Sequence, residues 1–119
     1  MCGIAGIVSK KTIDVTNYLE TMVSSMTHRG PDADGFQVEK NFGLGHRRLS
    51  IIDLNERSNQ PFFSNDKKYF IVFNGEIYNY LDLKVGIGNK YKFKTNSDTE
   101  VLLASYLVYG KSFINKING

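Results

Sequence analysis

The clearest hydrophobic pattern in the chain is Val15, Tyr18, Leu19, Met22, Val23 and Met26, apolar positions spaced by three and four. That spacing predicts a helix with one buried face. Asp14 can cap its start, and Gly30 and Pro31 should stop it near Thr27 or His28. Before it, residues 3–8 form a short apolar run that predicts a buried strand. Beyond it, residues 35–38 and 42–50 predict two strands joined by a turn at Lys40 and Asn41. Residues 53–59 are polar and read as a loop. Residues 69–73 form a dense apolar strand that runs into Asn74-Gly75, a turn signal. Residues 77–83 read either as a strand end or as the start of a short helix. Residues 90–94 alternate lysine with Tyr91 and Phe93, which predicts a strand over 91–95 with one lysine-bearing solvent face. Ser97-Asp98-Thr99-Glu100 before the apolar run 101–107 spells a capping box. The helix it opens should reach Tyr109 and stop at Gly110. Phe113, Ile114 and Ile117 predict a further helical turn or two. Helices and strands alternate irregularly with hairpin-like turns, which predicts an α+β fold with a mixed sheet and a helical layer.

Composition narrows the function classes. A length of 119 residues suits one domain able to bury a core. Eight Phe and seven Tyr exclude a disordered chain. The net charge of +3 comes from scattered lysines rather than a basic stripe, which argues against a nucleic-acid partner. The single cysteine allows no intramolecular disulfide and fits a reducing compartment. No apolar run reaches the length of a membrane span, and no basic-then-apolar leader precedes the first strand. The expectation is a cytoplasmic protein with no membrane partner.

The chemistry begins at Cys2. A small second residue permits removal of Met1, which would give Cys2 a free α-amino group beside its thiol. A thiol ionises near pH 8.5, and an α-amino group has a pKa of about 7.7–8.0. The amine can therefore take the thiol proton, directly or through a water, as in other N-terminal nucleophiles. Asn74 offers a side-chain amide and Gly75 a backbone N–H, donors of the kind an oxyanion needs. Arg48 can grip a carboxylate as a bidentate fork. Asp98 can pair with an ammonium group, with Ser97 and Glu100 left to cap the helix. Each has a bland rival: a strand-end cysteine, a hairpin turn, a solvated arginine, a first-turn charge. Cys2, His28 and His46 match no metal-ligand spacing, and a structural zinc site needs four ligands, so no metal is expected.

The motifs together carry a resemblance. Met1-Cys2-Gly3-Ile4-Ala5-Gly6, His28-Arg29-Gly30-Pro31-Asp32 with Gly35, Gly45-His46-Arg47-Arg48-Leu49-Ser50-Ile51-Ile52-Asp53, Gln60-Pro61, Phe73-Asn74-Gly75-Glu76-Ile77-Tyr78-Asn79-Tyr80 and Ser97-Asp98-Thr99-Glu100 occur in one order. This set resembles the class II glutamine amidotransferases, and its second and third motifs look like the glutamine-hydrolysing asparagine synthetases. Asparagine-synthetase-like paralogues, some in polysaccharide pathways, share the pattern.

The resemblance implies the αββα sandwich of N-terminal-nucleophile hydrolases, incomplete because relatives continue into a Phe- and Ala-rich strand beyond Gly119. It implies Cys2 as nucleophile with Asn74 and Gly75 as oxyanion hole. It implies glutamine held by Arg48, Leu49, Ser50, Ile51, Ile52, Asn74, Gly75, Glu76 and Asp98. It assigns His28 no proton-transfer role, and has Arg29, Pro31 and Asp32 shape their loop. The implied partners are glutamine and a synthetase domain or companion chain that uses the ammonia, with a homodimer among the arrangements it allows. No cofactor is expected here, because ATP and Mg would belong to the synthetase domain. A rival expectation is an inactive remnant that binds a partner through uncovered apolar faces.

Overall fold

The computed structural model describes all residues, Met1–Gly119. The chain divides into two compact units. The first comprises Met1–Ile51, Asn59–Pro61 and Val72–Asn74, and the second Ile52–Ser58, Phe62–Ile71 and Gly75–Gly119.

In the first unit, β1 (Gly3–Val8), β2 (Ala33–Val38) and β3 (Phe42–Arg48) form an antiparallel sheet in the order β1-β3-β2. The register pairs Gly3 with Arg47 and Ala33 with Arg48. The β2–β3 turn falls where expected and is closed by the Glu39 N–H bonding to the Phe42 carbonyl at 2.8 Å. Helix α1 (Thr16–Ser25) lies on the sheet. Leu19 and Val23 join Ala5 in the core. Side chains alternate across a strand, so Gly43 and Gly45 share one face of β3. A Cβ at Gly43 would stand 2.8 Å from Leu19, and one at Gly45 would collide with Val23. The helix therefore rests on bare strand backbone.

The helical face is narrower than the sequence predicts. Val15, Leu19 and Val23, one row at spacing four, are buried, whereas Tyr18 and Met22 are exposed. A small sheet covers only the row that fits its glycines. Asp14 does serve the helix start. Its Oδ1 accepts the Thr16 N–H at 2.9 Å and the Thr16 hydroxyl at 2.6 Å, although the residue in the N-cap position is Val15. The helix ends at Ser25, slightly earlier than expected, and turns follow up to Arg29.

In the second unit, β4 (Phe62–Phe63) pairs with β5 (Phe70–Ile71) as a short antiparallel ribbon. The strand expected over residues 69–73 thus forms a ladder over only two of them. Helix α2 (Tyr80–Ile87) settles the open reading of residues 77–83 in favour of a helix, and α3 (Asp98–Tyr109) packs on α2 and β5. Gly88 and Gly110 close these two helices at φ 54° and 59°, a region that side-chain-bearing residues avoid. A 3-10 turn over Gly110–Lys116 accounts for the helical pattern near the end.

Residues 91–95 do not form a strand. Their alternation is real, since Lys92 and Lys94 are exposed while Tyr91, Phe93 and Thr95 turn inward. A carboxylate replaces the neighbouring strand. Glu100, fully buried, accepts the Lys94 N–H at 2.9 Å, the Thr95 N–H at 2.6 Å and the Thr95 hydroxyl at 2.6 Å. The capping box is therefore half realised. Ser97 caps α3 by accepting the Thr99 N–H at 3.1 Å. Glu100 reaches past the cap to the extended segment, and the Ser97 N–H goes to the Thr95 hydroxyl instead.

Removing that carboxylate leaves several buried donors unsatisfied. Glu100→Ala should lower the free energy of unfolding by about 3 kcal/mol. Urea denaturation checks this, and a loss well under ~1 kcal/mol would show that the segment is held by other contacts.

Candidate active site

The β1–β3 register delivers Cys2. One step beyond the Gly3–Arg47 pair, Cys2 comes opposite the end of β3. Its Sγ lies 3.3 Å from the Leu49 nitrogen, whose N–H points at the sulfur. The thiol can in turn donate to the Leu49 carbonyl at 3.6 Å. An N–H aimed at sulfur is a partner that a thiolate can accept. Arg29 Nε donates to the Cys2 carbonyl at 3.0 Å. Met1 beyond it is 75% exposed.

Arg48 is buried, so it is not a solvated strand arginine. Its Nη1 donates to Asn59 Oδ1 at 2.7 Å. The expected loop role of the His-Arg-Gly-Pro-Asp motif has a concrete form. Arg29 holds the Cys2 carbonyl. Gly30 lies against the backbone of Arg47 and Arg48, where a Cβ would stand 2.6 Å from the Arg48 nitrogen. Asp32 donates its N–H to the Arg48 carbonyl at 3.0 Å and accepts the Ser50 N–H at 2.7 Å. The N–H groups of Leu49 and Ser50 are thus engaged with Cys2 and Asp32. Ile51 is exposed and Ile52 half-buried.

Asn74 is half-buried, and Gly75 and Glu76 are exposed. Neither Asn74 nor Gly75 has a positive φ, so the pair is not the type I′ hairpin turn its sequence could form. The chain is held just before it. The Phe73 N–H donates to Gln60 Oε1 at 2.6 Å, and His46 Nε2 lies 3.2 Å from the Phe73 carbonyl. A carbonyl only accepts, so Nε2 carries the proton. Nδ1 is then a buried acceptor without a partner. Burial pushes the His46 pKa down to about 4, the Phe73 bond opposes this, and the Arg48 charge adds to it. His46 is therefore neutral at physiological pH.

In the second unit, Asp98 is buried at the start of α3, and its Oδ2 accepts the Ile77 N–H at 3.1 Å. The side chain expected to pair with an ammonium group thus has one oxygen committed to backbone. Asp53, in the stretch read as a loop, organises its surroundings. It has φ 49°, and its side chain accepts the Asn96 N–H at 2.8 Å and Asn55 Nδ2 at 2.9 Å. These bonds, that to Asn96 first, hold its carboxyl well below the usual carboxylate range. Within the stretch, Glu56–Ser58 forms a 3-10 turn.

Of the residues singled out from sequence, the first unit brings together Cys2, Arg48 and Leu49, and it also holds Ser50, Ile51 and Asn74. Ile52, Gly75, Glu76 and Asp98 belong to the second. Sequence reasoning missed the supports: Arg29 on Cys2, Asn59 on Arg48, His46 and Gln60 on Phe73, and Asp53 on Asn96. For Arg29, His46, Asp53 and Gln60 the only signal was membership of the quoted motifs, and Asn59 lies outside them. No group of three or more His, Cys, Asp or Glu side chains is gathered to hold a metal, and His28 is exposed. No helix is long and apolar enough to cross a membrane. An apolar cleft of about 210 Å³ beside Phe70, Leu102, Tyr106 and Phe113 contains none of the chemical groups above.

Comparison with known proteins gives the family. Residues 1–119 match the family described as glutamine amidotransferase domain, and the chain belongs to it. The α+β architecture is compatible with the N-terminal-nucleophile hydrolase type. Over its whole length the chain is 44% identical to asparagine synthetase [glutamine-hydrolyzing] 1 of Bacillus subtilis (strain 168), covering 20% of that protein. It is 40% identical to amidase chry2 of Gibberella zeae, covering 20%, and 38% identical to asparagine synthetase B [glutamine-hydrolyzing] of Escherichia coli (strain K12), covering 22%. The chain spans about a fifth of the length of the curated relatives it matches.

His46 makes stability depend on pH. Between its ordinary value of 6.5 and about 4, the unfolded chain binds a proton that the folded chain refuses, so stability rises with pH across that window. The thermal midpoint should fall on acidification from pH 6.5 towards 4. In His46→Gln that slope should be shallower by one proton's share. An unchanged slope would exclude His46 as its source.

Proposed function

We propose that this chain hydrolyses the side-chain amide of glutamine, with Cys2 as nucleophile after removal of Met1. The observation that carries this reading is the Cys2 sulfur standing at the Leu49 N–H beside buried Arg48. The free α-amino group takes the thiol proton. The thiolate attacks the amide carbon, forming a C–S bond and placing negative charge on the amide oxygen. Asn74 Nδ2 and the Gly75 N–H stabilise that oxyanion. As the C–O double bond reforms, the C–N bond breaks, and the protonated amine supplies the proton with which ammonia leaves. Water then attacks the glutamyl thioester, glutamate departs and the thiol is restored.

Arg48 binds the glutamine α-carboxylate, which suits a buried guanidinium whose planar fork matches a carboxylate. Asp98 binds the α-ammonium through the oxygen that Ile77 does not occupy. Backbone groups of residues 49–52, with Glu76, complete the clamp. In the longer protein the ammonia passes to a synthetase domain that makes asparagine from aspartate, with ATP and Mg bound there. The names of two of the relatives above support that assignment, and a cytoplasmic setting suits the free thiol. A partner domain or companion chain, or a second copy in a homodimer, fits the same reading.

Cys2→Ala, and separately a block on the α-amino group, should abolish ammonia release from glutamine. Full activity in either would sink the proposal. Mass spectrometry of the intact protein should find Met1 gone. Arg48→Lys keeps the charge and loses the fork, so KM for glutamine should rise on the order of tenfold with kcat much less affected. Steady-state kinetics with an unchanged KM would remove Arg48 from the clamp.

A further inference from the structure

We infer that His46 and Gln60 are positioning residues for the oxyanion hole, acting through the two peptide groups that flank Phe73. The inference rests on the proposed role of Asn74 and Gly75. The β5 ladder ends at Ile71, so no strand pairing fixes residues 72–74. Buried backbone groups need partners, and here two side chains supply them. Gln60 accepts the Phe73 N–H and His46 donates to the Phe73 carbonyl. That carbonyl and the Asn74 N–H belong to one planar peptide. Holding both peptides around Phe73 sets the direction from which the Asn74 side chain and the Gly75 N–H emerge.

Both holders are themselves rigid. His46 is fully buried on the central strand, paired with Ile4 on one side and Gly35 on the other. Gln60 is buried too, and its backbone presses on Gly35, where a Cβ would stand 2.5 Å from the Gln60 carbonyl oxygen. Period-2 alternation puts His46 on the same face of β3 as Arg48, opposite the glycine face that carries α1. One strand face therefore carries both the carboxylate clamp and the brace of the oxyanion donors. An apolar residue in place of His46 would leave the Phe73 carbonyl without that donor.

The test compares His46→Leu and Gln60→Leu with the wild type in glutamine hydrolysis. Losing the brace should lower kcat on the order of a hundredfold with KM nearly constant, as expected for a contact made only in the transition state. Alkylation of Cys2 by iodoacetamide uses no oxyanion donor, so its rate should be unchanged. In an Asn74→Ala background, which removes one of the two donors, each substitution should cost much less than in the wild type. Gln60→Glu keeps the acceptor and should retain more activity than Gln60→Leu. Full kcat in folded His46→Leu and Gln60→Leu would overturn the inference. So would loss through KM alone, slowed alkylation, or undiminished losses in the Asn74→Ala background. If His46→Leu does not fold, Gln60→Leu with its Glu counterpart decides by the same criteria. Failure of the catalytic reading itself would appear separately, as activity surviving in Cys2→Ala.

Discussion

The antiparallel register of β1 on β3 is the constraint from which the first unit follows. With Gly3 opposite Arg47, the chain entering β1 must bring Cys2 to the end of β3, where the Leu49 N–H meets its sulfur. A slip of one residue would turn every side chain of the strand to the opposite face. It would send His46 and Arg48 towards α1 and bring the glycines away from it. The glycine face and the functional face are thus two sides of one pairing. Gly43 and Gly45 let α1 rest on the backbone, and the alternation that clears space for Leu19 and Val23 also sets the positions of His46 and Arg48.

Where sheet pairing runs out, buried polar side chains replace it. Glu100 gathers the donors of residues 94 and 95. Asp53 holds the Asn96 N–H. Gln60 and His46 serve Phe73, and Asp32 serves Ser50. Each brace fastens an irregular segment that adjoins a residue proposed to act on glutamine: Asp98, Asn74 or Arg48. The reason is electrostatic and geometric at once. A functional side chain must leave the backbone where a ladder would obstruct a ligand, yet the backbone groups there still need partners. A carboxylate or amide from a neighbouring segment satisfies them without adding a strand.

The motifs looked alike as sequence signals, but they divide into two kinds of work. Cys2, Arg48, Asn74, Gly75 and Asp98 carry groups suited to reaction or to a charged ligand. Arg29, Asp32, His46, Asp53, Asn59 and Gln60 spend theirs on the protein itself. Asp98 falls between the two, with one oxygen on the Ile77 N–H and the other left over. Its charge is held in one direction by the backbone it supports.

Local pattern alone determined a good deal. The bounds of β1, the β2–β3 turn, the burial of Val15, Leu19 and Val23, and the stop at Gly110 all follow from periodicity and from glycine. Cys2 at the amino terminus and the oxyanion-type pair at residues 74 and 75 were legible as residue types. Tertiary structure decided what depends on partners distant in sequence. Residues 91–95 alternate like a strand, but no strand lies beside them, and Glu100 takes their N–H groups. Residues 72 and 73 look like a continuing strand and instead leave the ladder. Arg48 could have been solvated, and burial with Asn59 made it otherwise. Hydrophobic period reports which way a side chain points, because that is set by the local backbone. A hydrogen-bond partner many residues away is chosen only when the chain closes on itself, and so the braces around Cys2 and Phe73 could not be read before the fold was known.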